Sequence, residues 1–209
     1  MNTITSSEQG TLENTIDMKL LLEKLIPVLT KRVKAYHELF SLPLIAEQWE
    51  ETLHRSLQDI GYNTTWKPDR SHAVGEDMRI IDIPNTRISC KSGQFINSRE
   101  LGTTCVKFNG SRSTSHETLE QKIKHFSDSH DDYYFMLSKN KDFDNTYKLL
   151  VFESTICKVD QLLWTESKSG KAWNGTGKFV ATIGKAMSSQ LWTTLPLNMI
   201  VHSLDIDCR

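Results

Sequence analysis

The chain is poor in several features that mark large protein classes. It has four cysteines, Cys90, Cys105, Cys157 and Cys208, and no two of them stand in CxxC spacing. That pattern supplies neither a disulfide framework nor a zinc-finger ligand set, and reads as free thiols in a reducing compartment. No apolar run reaches the ~18 residues of a membrane-spanning helix. The opening stretch MNTITSSEQGTLENT is polar and has no apolar signal core, which points to a cytoplasmic protein. Net charge is missing too: 25 Lys and Arg against 26 Asp and Glu leave −1. The seven histidines show no ligand spacing. No internal repeat or low-complexity tract interrupts the chain.

What is present is ordinary globular composition, 38% hydrophobic and 24% charged over 209 residues. That length allows one sizeable core. Charge is uneven along it. From Asn85 to Ser115 the bases are Arg87, Lys91, Arg99, Lys107 and Arg112, and the only acid is Glu100. A second basic stretch holds Lys168, Lys171, Lys178 and Lys185 around Trp173. Local positive stretches on a near-neutral chain suit a protein that touches phosphate on one face. A lysine-rich solvated surface is the plainer reading of the second stretch.

Hydrophobic spacing outlines the elements. Residues 1–14 read as disordered. Ile16, Leu20, Leu21, Leu25, Val28 and Val33 recur at helical spacing from Thr15 to Leu39, with Pro27 expected to kink or divide the helix. A second helix is expected from Leu44 to Ile60, entered after Pro43 and stopped by Gly61. Tyr62 to Lys67 reads as a strand edge. MRIIDI and RISCKSGQF read as a hairpin around Pro84-Asn85-Thr86. TTCVKFNG reads as a strand ending at Asn109-Gly110. Thr114 to Phe126 reads as a helix capped by Ser115, with Glu117 and Glu120 in its first turns. DYYFMLSK and YKLLVFES read as central strands. Val159 to Trp164 reads as a short helix, followed by strands near Lys178–Ile183 and Met199–Leu204. The class is α/β, a mixed central β-sheet flanked by helices.

The hairpin carries the chemistry. Side chains alternate along a strand, so Ser89 and Lys91 share a face and Cys90 takes the other. Asp77 opens the partner strand, beside the end of RISCK. A carboxylate there can hold Mg²⁺, which takes oxygen ligands and keeps waters. The Cys90 carbonyl is a further oxygen. A lysine alongside can orient or deprotonate water and stabilise phosphate charge. Together they form apparatus for metal-assisted phosphodiester hydrolysis. An ion pair closing a hairpin is the plain structural alternative.

These residues resemble the PD-(D/E)XK nuclease superfamily. There an acid opens one strand, and the next strand carries an acid, any residue and a lysine. Here Gly75-Glu76-Asp77 matches the first element and Ser89-Cys90-Lys91 the second, with serine at the middle acid's place. The family often adds a glutamate from the preceding helix in an E-x-x-L…G-[YF] pattern, and this chain has Glu50-Glu51-Thr52-Leu53 before Gly61-Tyr62. The resemblance, over about residues 44–153, implies a restriction-endonuclease-like core. It implies metal held by Asp77 and Glu50 with the Cys90 carbonyl, and Lys91 positioning water. Ser89 stands in the catalytic strand. Glu47, Glu51 or Glu100 are the other carboxylates able to replace the missing acid. Glu76, Pro68-Asp69 and His72 are further residues near the site in sequence.

Residues able to contact DNA follow. Phe108–Ser115 reads as a loop in which Arg112 can reach a phosphate or a guanine edge, and Ser111 and Thr114 a phosphate. Ser188, Ser189 and Gln190 are polar beside Trp192, although a buried strand edge with Trp192 in the core is the simpler expectation. Asn174 reads as a loop residue. Trp49, Trp66 and Trp164 read as core.

The expectation is one domain over 15–209: a helical extension (15–43), a catalytic core (44–153) and a C-terminal part (154–209). Its function would be that of a Mg²⁺-dependent type II restriction endonuclease acting on double-stranded DNA as a homodimer, with the first helix as dimer interface. Rivals are a structure-selective repair or junction nuclease, a non-catalytic DNA-binding module on the same fold, and a protein-interaction domain.

Overall fold

The computed structural model describes residues 16–66, 77–84, 86–113, 118–128, 131–139, 146–185 and 189–208. The N-terminal tail, Pro68-Asp69, His72, Glu76, Thr114, Ser115, Glu117 and Ser188 lie outside the described residues.

Helix α1 spans Met18–Leu39, and the Asp17 carboxylate accepts the Leu20 N–H at 3.0 Å. Such a cap satisfies one of the four unbonded N–H groups of the first turn. Pro27 lies inside α1 and does not divide it. The helix buries Leu21, Leu22, Leu25, Leu29 and Val33 in the chain's own core. Helix α2 spans Ala46–Asp59 and buries Trp49, Leu53 and Leu57. It ends at Gly61, whose φ is 93°. Gly61 N–H donates to Gln58 O and Tyr62 N–H to Leu57 O, the Schellman pattern that requires a left-handed residue.

The strands and the third helix are β1 (Thr64–Trp66), β2 (Met78–Ile80), β3 (Arg87–Ser98), β4 (Thr103–Ser113), α3 (Leu119–Ser127), β5 (Tyr133–Lys139), β6 (Thr146–Glu153), β7 (Leu163–Glu166), β8 (Ala172–Thr176), β9 (Val180–Gly184), β10 (Ser189–Pro196) and β11 (His202–Asp207). A 3-10 turn at Val159–Gln161 and the start of β7 stand where a short helix is expected over Val159–Trp164, and another 3-10 turn, Ser154–Cys157, precedes them. The cap of α3 is Thr118, not Ser115, with Gln121 reciprocating in a capping box.

The described strands form one mixed sheet in the order β11-β6-β5-β3-β4-β10-β9-β8-β7, with β2 on β3 and β1 on β2. β3 and β5 are parallel, and the other pairs are antiparallel. One core lies between α1, α2 and the face of the sheet bearing Ile88, Cys90, Phe135, Leu149 and Val151. Trp49 Nε1 donates to Phe135 O across it at 3.2 Å. A second core, on the other face, joins Val106, Phe108, Tyr134, Phe152, Ile183 and Leu191 beneath α3 and the 3-10 turns. Lys122 of α3 is buried there, and its Nζ donates to Ser113 and Ser189 Oγ at 3.1 Å each.

Candidate active site

The site begins with a discontinuity in the ladder of β3. One edge of β3 pairs with β5 from Ile88 to Gly93. The opposite edge pairs with β2 at Arg87 and Ile88, then with β4 from Gly93 onward. Among the described residues, no strand partner faces Ser89–Ser92 on that edge. Asp77 fills the notch. Its N–H donates to Ile88 O at 3.1 Å. Its Oδ2 accepts from Cys90 N–H at 2.7 Å and from Ser89 Oγ–H at 3.0 Å. A backbone N–H that would otherwise be buried unbonded is thereby satisfied by a carboxylate.

Lys91 Nζ lies 3.8 Å from the same Oδ2, with the two side chains 17% and 21% exposed. Nζ also sits 5.8 Å from the centre of the Tyr134 ring. Lys91 opens onto a cleft of about 500 Å³ whose lining includes Arg87, Ser111, His125, Asp131 and Tyr134. The notch thus sets a half-buried carboxylate against a half-buried ammonium, and the ammonium lines a polar cleft.

The other expected site residues are dispersed. Glu50 is half-buried on α2 and accepts from Trp66 Nε1 at 3.4 Å. It stands on the Cys90 side-chain face, close enough to act on that thiol. The Cys90 thiol is held well above its usual range by burial, then by the Asp77 and Glu50 carboxylates, against a smaller opposing effect of Lys91. The thiol is neutral, so the backbone carbonyl is the oxygen that Cys90 offers. Glu51 pairs with Arg55 at 3.1 Å, and Glu47 and Glu100 are exposed. Among the described residues, no three His, Cys, Asp or Glu side chains converge as a metal site. The oxygens at the notch are nonetheless of the hard type that Mg²⁺ takes, and the three Asp77 contacts all fall on Oδ2.

Two expected loops are strands. Ser111 and Arg112 belong to β4, which runs through Asn109-Gly110 instead of ending there. Arg112 is the cross-strand partner of Gln190. With its oxygen turned toward the guanidinium, the Gln190 amide accepts from Arg112 Nε and Nη2 at 3.0 Å each. Ser111 lines the cleft that holds Lys91. Asn174 lies within β8, not in a loop. Trp192 is 39% exposed on an interior strand, not buried at an edge.

Sequence reasoning passed over Asp131 and Asp132. Asp132 accepts from Arg87 N at 2.8 Å, Nε at 3.1 Å and Nη2 at 3.0 Å. Asp131 is buried and also raises the Cys90 thiol. The signal was an acidic pair heading the strand that lies parallel to β3.

No family model, curated protein or solved structure matches the chain.

Proposed function

We propose that the chain is a Mg²⁺-dependent endonuclease for double-stranded DNA, built on a PD-(D/E)XK-like core and acting as a type II restriction enzyme. The observation that carries this reading is the Asp77 carboxylate, anchored on Cys90 N–H and Ser89 Oγ–H, 3.8 Å from the Nζ of Lys91, which lines a polar cleft. Asp77 and the Cys90 carbonyl would hold the ion, with Glu50 of α2, on the Cys90 side-chain face, as the further carboxylate the resemblance implies. Bound there, Mg²⁺ supplies Lewis-acid stabilisation of phosphate charge. Lys91 orients the attacking water and offsets the charge that grows on the phosphate oxygens. Water adds to phosphorus, the P–O bond to the leaving sugar breaks, and the phosphate stays on one product end. Arg112, Ser111, Gln190 and Asn174 are the described polar residues assigned to DNA contact. Two copies on two-fold DNA would cut both strands.

A second reading rests on Ser89. It is fully buried in the place of the family's middle acid and donates to Asp77. A non-catalytic DNA-binding module would keep that bond and lose the chemistry. Incubation with unmethylated phage DNA, with Mg²⁺ or with chelator, separates the two. Discrete fragments that require Mg²⁺ and disappear in Asp77→Ala support the nuclease. Intact DNA at protein concentrations that bind duplex supports the binding module.

A further inference from the structure

Away from the notch, β4, β10, β9 and β8 extend the sheet beyond β3. One face of these strands carries Phe108, Leu191, Ala181 and Ile183 into the second core. The opposite face is polar. Asn109, Trp192, Thr182 and Asn174 are successive cross-strand partners on the four strands. Direct partners project to the same side, so the four side chains form a row. Gln94 and Lys107, partners on β3 and β4, form the next row. A shallow depression of about 460 Å³ lies over Gln94, Lys107, Asn109 and Trp192.

The chemistry of this face is specific. The Trp192 indole is 39% exposed in the middle of an interior strand, where an aromatic ring is ordinarily covered. Lys107 Nζ stands 5.5 Å from its ring centre. Thr182 Oγ1 donates to Asn174 Oδ1 at 3.3 Å. Asn109 Oδ1 is shielded and, among the described residues, accepts no hydrogen bond. Carboxylates are missing: no Asp or Glu occurs from Leu101 to His116 or from Ser167 to Leu204. A sugar would also stack on an indole, but a face with a lysine and without carboxylates favours a polyanion. Duplex DNA hides the faces of its bases, whereas an unpaired strand offers them for stacking.

We propose that this face binds a single strand of nucleic acid. One base stacks on Trp192, the amides of Asn109 and Gln94 meet base edges, and Lys107 meets an adjacent phosphate. The site goes beyond duplex cleavage and uses none of the residues at the notch.

The test is fluorescence anisotropy of a labelled mixed-sequence DNA strand of about twelve nucleotides, on the full chain, with chelator present. The wild type binds the strand. Trp192→Ala weakens binding about tenfold and Trp192→Phe restores most of it. Lys107→Gln lowers the slope of log affinity against log salt by about 0.7. Both side chains are exposed, so thermal melts stay unchanged. Trp192→Thr, a residue type favoured in strands, gives the same reading if the alanine variant does not fold. Unchanged affinity on losing the indole overturns the proposal. So does failure of the wild type to bind the strand at low salt, or an equal loss of affinity for the blunt duplex of the same sequence.

Discussion

At the scale of single residues, two carboxylates do different work on one strand. Asp77 bridges the gap in the β3 ladder and faces Lys91. Asp132 clamps Arg87 at the start of that strand through three hydrogen bonds. Burial alone would raise the Asp132 pKa, but the Arg87 side-chain and backbone bonds outweigh it and hold it below 3.8. A depressed folded-state pKa contributes stability above the unfolded value, and that stability is lost as pH falls through the folded one. Asp132→Asn is therefore expected to cost about 1–3 kcal/mol at neutral pH. The gap to wild type narrows as pH falls below 3.8. Denaturant titrations at neutral and strongly acid pH check this, and a gap independent of pH would contradict it. The Asp77–Lys91 approach was legible because period-two alternation and a turn signal suffice to place both ends of a hairpin. Asp131 and Asp132 were not, because the acidic pair is visible in the sequence but the parallel pairing that sets it beside the start of β3 is not. Trp192 was misplaced by its hydrophobicity, although Leu191 and Leu195 already marked the inward face.

At the scale of elements, local chemistry explains most boundaries. Gly61 ends α2 where the left-handed residue is needed. The first hairpin strand is shorter than MRIIDI suggests, because Thr86 Oγ1 donates to Ile80 O and Ile83 O and folds Ile81–Pro84 into a turn. Asn109-Gly110 is a strong turn signal, yet β4 continues through it with β10 alongside, so tertiary pairing overrides the local preference. Gly93 marks where β3 passes from the notch to its pairing with β4. A Cβ built there would meet Met136 Sδ and Val106 Cγ2 at 2.5 Å and Ser138 Oγ at 2.8 Å. Gly93→Ala is expected to cost about 1–3 kcal/mol through overpacking, measured by chemical denaturation. A stability equal to wild type would show that the second core yields there freely.

At the scale of the molecule, α1 and α2 cover one face of the sheet's β3–β5–β6 region while the other face carries the second core with α3, and the cleft. The α/β class and the interior, buried character of β5 and β6 followed from two strongly apolar strands between helical patterns, although the sheet sets them third and second from one edge and not at its centre. The extent of the sheet did not, because β7, β8 and β9 are short and β7 to β10 carry many threonines among their apolar residues. No helix of the described residues is long and apolar enough to cross a membrane. The proposed role of the Asp77–Lys91 pair at the notch is phosphodiester hydrolysis, beyond merely closing a hairpin. The most direct test is Lys91→Ala, assayed in parallel for Mg²⁺-dependent cleavage of phage DNA and for binding of the same duplex in chelator. Cleavage is expected to fall by at least about 100-fold with duplex affinity changed less than about threefold. Cleavage that persists at the wild-type rate would contradict that role.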